Sequence, residues 1–417
     1  MIKPQPFATA LSQKSSIYWI VLGIIIKFIT SGGFSFNNRL WDLERDMFNQ
    51  ITGRGFFSFI FLRDVAGYPI IPMRSAVWVI GSLFDSELWA IILHLLVILI
   101  QVFSFYLAIK LLPQYVSSTS RRFAFLILLL IPAEDLNYIH HVGYLLLFPQ
   151  LYLVRSLDES SIKKSIASIF LILFFLNKPI NAILLIIYIL VRFASKSEVK
   201  SRHVSSYFIV IASSSIYILV YLIFPRDLEM PLLYPFDSPL QFITVLPYIA
   251  SAITIPSISI GLIGATKLIS ANSLLHIIGF AVTLILAIVM VQSTRRIKTL
   301  VKLIQKDERQ KLLEILVLFL ASYSLVFTIG NFYWVTVFPL WELSYPSHVW
   351  MRWSIVPGVL LVLLIISAID LISQKSNFVL KIFSFSLAPN NLLLLGIVTQ
   401  YILLWLLGYP YLQRWWG

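Results

Sequence analysis

The sequence contains no cysteine, which excludes a disulfide framework and a thiolate metal site. Reducing and oxidising compartments both tolerate such a chain, so this absence leaves its location open. Charge is also scarce. Asp, Glu, Lys and Arg make up 12% of the 417 residues, hydrophobic residues make up 59%, and the mean hydropathy is +0.88. A soluble globular domain is nearer a quarter charged, so this composition argues against one. No internal repeat, low-complexity linker or recognisable soluble domain interrupts the chain. The first apolar run, IYWIVLGIIIKFI (17–29), has no small-x-small cleavage site behind it. It reads as a retained first span rather than a signal peptide.

Long uncharged runs fill the space that charge leaves, among them LWAIILHLLVILIQVFSFYLAI (88–109) and VLLVLLIISAIDLI (359–372). Only helices or closed barrels satisfy the backbone in lipid. A barrel needs alternating strands of about ten residues, whereas these runs are continuously apolar. The fold class implied is all-α, a polytopic transmembrane helical bundle forming a single transmembrane domain over 1–417. Eleven spans are expected, near 17–30, 88–112, 123–133, 142–155, 165–176, 180–193, 204–224, 274–293, 312–330, 353–373 and 391–409. Those at 123–133, 142–155, 165–176 and 180–193 fall short of the ~20 residues of a full crossing. They are either extended by polar ends or broken helices that meet within the bundle.

The net charge of +13 raises the question of nucleic acid, but its distribution points to topology instead. With a cytoplasmic N-terminus, 21 of the 32 basic residues and only 7 of the 19 acids fall on the cytoplasmic side. An excess of Lys and Arg there is the usual mark of orientation. The basic loop TRRIKTLVKLIQKDERQK (294–311) then faces anionic lipid as a solvated anchor. Outside lie a long first loop (31–87), EDLNYIHH (134–141), NKP (177–179), the Pro-, Gly- and Ser-rich stretch 225–273, and NFYWVTVFPLWELSYPSHVWMR (331–352). Stretch 225–273 has the make-up of an external or re-entrant segment. Leu40, Leu43, Met47 and Ile51 recur at helical spacing, predicting an amphipathic interfacial helix within 37–51.

The candidate site residues gather on that outer face. In EDLNYIHHVGY (134–144), a helix would place Glu134, Tyr138 and His141 on one side, with Asn137 one turn from His141. Three readings stay open for Glu134, Asp135, His140 and His141: a polar helix end meeting water, a divalent-metal site, or a pocket for a phosphorylated or sugar substrate. No His-x-x-x-His occurs, and adjacent histidines on a helix do not share one ion. In FLRDVAGYPIIPMRSAVW (61–78), Asp64 stands between Arg63 and Arg74, beside Tyr68. Gly67, Pro69 and Pro72 predict a tight turn there rather than a helix. Asp64 is either neutralised by its arginines or acts as a general base while an arginine forks onto phosphate. Asp42, Glu44 and Asp46 are competing carboxylates, expected to form the water-facing stripe of the interfacial helix. Lys178 breaks two apolar runs in LNKPIN and either snorkels to the interface or meets an anionic head group. Glu342, His348 and Arg352 stand at the outer mouth of a late span, where an Arg suits a phosphate.

On this organisation the chain resembles the GT-C superfamily of polytopic membrane glycosyltransferases. The likeness lies in a cytoplasmic N-terminus, a first span, a long acidic external loop with an interfacial helix, and short paired spans. RDVAGYPIIPMR (63–74) is similar to the first-loop pattern of uncharacterised bacterial members, and MRWSIVPGVLL (351–361) to their late Arg-aromatic-Pro motif. No Asp-x-Asp occurs, and Glu134–Asp135 stands in for the family's second acidic pair. The resemblance implies a multi-pass protein of the bacterial cytoplasmic membrane. Its activity would be moving a sugar from a polyprenyl-phosphate-linked donor to a glycan, lipid or protein acceptor at the outer face. Asp64 would be the base, with Asp42 or Asp46 behind it, and Arg63, Arg74, Lys178 and Arg352 would contact phosphate. Glu134, His140 and His141 would shape the sugar pocket or hold a divalent cation, the cofactor requirement being open. A polysaccharide polymerase or ligase, a lipid-linked-substrate transporter or flippase, and a non-catalytic membrane subunit are the competing readings. Few charges fall mid-span (His94, His276 and Asp370), and no inverted repeat is visible, which weighs against a transport path.

Overall fold

The computed structural model describes residues 13–30, 40, 42–62, 70–129, 139–157, 162–195, 201–223, 302, 304–337, 346–376, 380–382 and 385–387. Within them the chain is all-α apart from two three-residue antiparallel strands, β1 (Leu380–Ile382) and β2 (Phe385–Leu387), paired Ile382 to Phe385. Nine of the eleven expected apolar runs overlap helices, and the runs at 274–293 and 391–409 lie outside the described residues. Among the described residues one helix, Ser86–Lys110, is long and apolar enough to cross a membrane. The chain divides into two compact units.

The first unit takes residues 1–30, 111–132 and 231–417. It contains α1 (Gln13–Thr30), α6 (Ser118–Leu129), α12 (Lys306–Val337) and α13 (Pro346–Ser376). α12 packs along α13, and α6 touches both α13 and α1. Its helix ends are tied by side chains. Asp370, buried on α13, accepts hydrogen bonds from the Ser117 backbone N–H (2.8 Å), the Ser117 hydroxyl (3.2 Å) and the Ser120 hydroxyl (2.7 Å). These are donors at the start of α6, where the first N–H groups of a helix have no partner within it. Arg121 closes the preceding turn by donating to the carbonyls of Leu112, Pro113 and Val116. Glu308 accepts from the Gln114 backbone N–H and pairs with Lys311 at 2.6 Å.

The second unit takes residues 31–110 and 133–230. Three short helices open it: α2 (Asp42–Asn49), α3 (Phe56–Ile60) and α4 (Ile71–Leu83). The tight turn expected over 61–78 is corrected from Ile71 onward. Pro72 stands in the first turn of α4, where its missing N–H costs no hydrogen bond and its fixed φ suits the helix. Within the 37–51 stretch a helix forms as α2, and its inward face includes an acid. Glu44, Met47 and Phe48 are buried, whereas Arg45 and Asp46 are exposed. Phe48 stacks on Trp89 with ring centroids 4.4 Å apart. Gly81 lets α4 meet Phe48 and Ile51 closely, since a Cβ there would lie 2.6 Å from Ile51 Cδ1 and 3.1 Å from Phe48 Cδ1.

The bundle follows as α5 (Ser86–Lys110), α7 (Ile139–Val142), a 3₁₀ turn (Gly143–Leu146), α8 (Leu147–Leu157), α9 (Ile162–Phe174), α10 (Pro179–Ser195) and α11 (Ser201–Ile223). α5 opens with Glu87 and closes with Lys110, each suited to the charge of its end of the helix dipole. Pro149 carries no N–H to offer back to the Leu145 carbonyl, and the chain tightens into the 3₁₀ turn before α8. The join of α9 to α10 also follows from a proline. Lys178 precedes Pro179, and residues in that position are driven out of helical backbone. The Lys178 carbonyl then accepts from Asn181 N–H (3.0 Å) and Ala182 N–H (3.2 Å), starting α10. Gln150 on α8 donates 3.0 Å to the Ile172 carbonyl in the last turn of α9. Phe105, Leu147, Phe148, Leu151, Leu184, Leu185, Tyr188 and Tyr207 fill the core.

Candidate functional site

In the second unit a group of polar side chains turns inward where the α7–3₁₀ segment meets the α9–α10 join. Asn177 and Asn181 are 0% exposed, Lys178 1% and His141 3%. Buried lysines are rare unless paired, so this is a built feature of the fold. The backbone explains the closeness. Gly143 has no side chain, and the Asn177 carboxamide fills the space one would occupy: a Cβ on Gly143 would stand 1.7 Å from Asn177 Nδ2. Asn181 Nδ2 donates to the carbonyls of Gly143 (3.0 Å) and Tyr144 (3.3 Å), fixing the 3₁₀ turn against the start of α10. The Lys178 ammonium sits 5.2 Å from the centroid of the Tyr144 ring, within reach of its electron-rich face.

Three amide atoms in this place have no hydrogen-bond partner among the described residues: Asn177 Nδ2, Asn177 Oδ1 and Asn181 Oδ1. Polar atoms in folded interiors are nearly always paired, so three together call for a physical reason. Two more charged residues are buried in this unit. Glu44, 1% exposed, accepts a 2.9 Å hydrogen bond from the Ile139 backbone N–H, which opens α7 and leads into the histidine pair. Arg74, 3% exposed, donates 3.0 Å to Gln50 Oε1 and lies 5.2 Å from the Phe59 ring centroid.

Of the residues singled out from the sequence, Arg74, His141 and Lys178 are thus buried in this unit, and the structure brings Lys178 onto the segment that follows His141. The near-complete burial of Lys178 removes the snorkelling reading. Asp46 is exposed on α2. Asp42, His140, His348 and Arg352 lie on helices whose side chains there fall outside the described residues, as do Arg63, Asp64, Tyr68, Glu134, Asp135 and Glu342 entirely. Glu44 is a correction: it was expected on the water-facing stripe and instead points inward. Glu44 and Asp46 are two residues apart, about 200° around a helix, so both cannot lie on one water-facing stripe. Asn177 and Asn181 were missed, and LNKPIN carried their signal, two amides flanking a Lys–Pro break in an apolar run. Among the described residues no group of three His, Asp or Glu side chains is placed to hold a metal ion.

The first unit has its own polar centre around Asp370, and here burial acts on a phenol. Burial pushes the Tyr115 pKa well above its ordinary value, and the Asp370 and Glu308 charges push it the same way. The nearby Ser367 hydroxyl pulls in the opposite direction. The phenol is therefore neutral at physiological pH, and the centre reads as a tie between helix ends. Comparison with protein-family models, with characterised proteins and with solved structures gave no match.

Proposed function

We propose that this chain is a GT-C-type glycosyltransferase of the bacterial cytoplasmic membrane, with about eleven spans and a cytoplasmic N-terminus. On this reading it moves a sugar from a polyprenyl-phosphate-linked donor to a glycan, lipid or protein acceptor at the outer face. The observation that carries the proposal is the burial of Lys178 with Asn177, Asn181 and Tyr144 at a join between short apolar helices. α9 has 13 residues, about 20 Å of helix, against roughly 30 Å of hydrocarbon. Its join to α10 then falls beneath the outer surface, where an isoprenoid tail and a phosphate both have a place. The outward apolar residues support a lipid setting. Leu88, Leu95, Leu99 and Phe103 run as one exposed stripe down α5, and Ile166, Phe170, Phe208, Ile216 and Ile223 are exposed on α9 and α11.

The chemistry needs a cation for the donor phosphate and a carboxylate for the acceptor. The base takes the acceptor hydroxyl proton as that oxygen bonds to the anomeric carbon. The carbon–oxygen bond to phosphate breaks, and its electron pair leaves with polyprenyl phosphate. Lys178 and Arg74, with Arg63, are assigned to phosphate; Asp64 is the first choice of base, then Asp42 or Asp46. Glu44 acts through the backbone, holding the start of α7 so that His141 is presented. Membranes supplied with labelled polyprenyl-phosphate sugars test this. Lys178→Met is expected to lower transfer about 10- to 100-fold, the worth of a hydrogen bond to a charged group. Undiminished transfer by that variant, or none by the wild type from any such donor, would end the proposal.

A further inference from the structure

The three amide atoms at the α9–α10 join support a sharper statement about the same site. We infer that Asn177 and Asn181 read the hydroxyl groups of the sugar on a lipid-phosphate donor, beside a Lys178 that reads the phosphate. This rests on the reading above and divides its labour between residues. The geometry points to hydroxyls for three reasons. Asn177 leaves one donor atom and one acceptor atom unpaired, and Asn181 leaves a second acceptor. A hydroxyl is both donor and acceptor, so adjacent hydroxyls of a pyranose or furanose match this set, whereas a phosphate offers acceptors alone. The Asn177 amide is also held still: it rests against the Gly143 backbone, and Asn181 is tethered through its other amide atom to the carbonyls of Gly143 and Tyr144.

Fixed, buried and unpaired polar groups are poor for stability and good for discrimination. A site built to bond a hydroxyl rejects a ligand lacking it, because its own groups are then left unpaired. A structural amide has the opposite profile, since the fold depends on its hydrogen bonds and loses stability when they are removed.

The full-length protein in nanodiscs separates these cases. Binding is measured for undecaprenyl phosphate and for the same lipid carrying glucose, mannose, galactose, arabinose or N-acetylglucosamine. Wild type is expected to bind at least one sugar-bearing lipid tenfold or more tighter than the bare phosphate. Asn177→Leu and Asn177→Ser are expected to bind the bare lipid as wild type does and to lose that preference by about tenfold. Lys178→Met loses affinity for both lipids. The ligand-free Asn177→Leu protein, with apolar groups where unpaired amide atoms stood, is expected to melt no lower than wild type. A preference retained by Asn177→Ser, or lowered melting temperatures in both Asn177 variants, overturns the inference and leaves the transferase reading standing. Equal wild-type affinity for bare and sugar-bearing lipids has the same consequence. Binding of neither lipid by the wild type overturns both.

Discussion

Gly143 shows how a single residue governs the candidate site. Its hydrogen sits where any side chain would drive into the Asn177 carboxamide, with a Cβ 2.9 Å from Asn177 Cγ and 3.4 Å from Met73 Cε as well. The amide cannot yield cheaply, because Asn177 is fully buried and the neighbouring turn is tethered by Asn181. Overpacking of this kind costs about 1–3 kcal/mol. Gly143→Ala is therefore expected to lower the melting temperature of the purified protein and to weaken donor binding more than Gly81→Ala does. Gly81 is the control because its nearest contact is the far end of the half-buried Ile51 side chain, which is able to shift. Equal, small effects from the two variants would show that the Asn177–Gly143 contact is loose. The residue scale is also where the sequence is least legible. Lys178 is visible as a break in an apolar run, yet its burial, and the choice of Glu44 over Asp46 as the inward acid, depends on tertiary neighbours that no local pattern encodes.

Elements were more legible, because apolar runs and prolines act locally. The run expected over 88–112 is the helix Ser86–Lys110, and the run over 180–193 lies within Pro179–Ser195. The failure at 61–78 has a local cause too: a proline is as much at home in the first turn of a helix as in a loop, so Pro72 alone does not decide between them. Less visible was how helix ends are tied. Asp370 read as a rare mid-span charge, whereas it caps the start of α6 through Ser117 and Ser120, with Tyr115 half-buried beside it. That tie has a pH signature. The folded-state pKa of Tyr115 is raised, so the neutral phenol is favoured by the fold, and its contribution is whole below the unfolded value of about 10. As pH rises past that point the unfolded chain loses the proton first and stability falls. The melting temperature of the wild type is expected to drop more steeply between about pH 9 and 11 than that of Tyr115→Phe. Parallel curves would mean that the phenol is not held neutral by its surroundings.

At the scale of the molecule, sidedness decides whether the buried cluster can meet an exported lipid-linked sugar. α5 has 25 residues, about 37 Å of helix, enough to cross roughly 30 Å of hydrocarbon with some tilt. It carries Glu87 at one end and Lys110 at the other, and basic residues favour the cytoplasmic end. The same assignment puts Arg155 of α8 and Arg192 of α10 at cytoplasmic ends, and the join holding Lys178 at the outer one. On the proposed reading these three helices carry their basic ends on one side, so an error in any one run would not invert the site. Reporter fusions are expected to place positions 140 and 178 outside, and positions 110 and 197 in the cytosol. A cytosolic position 178 would put the Lys178–Asn177 cluster on the face where sugars are carried by soluble nucleotides. The lipid-phosphate donor would then lose its physical basis, even with every side-chain contact in the bundle unchanged.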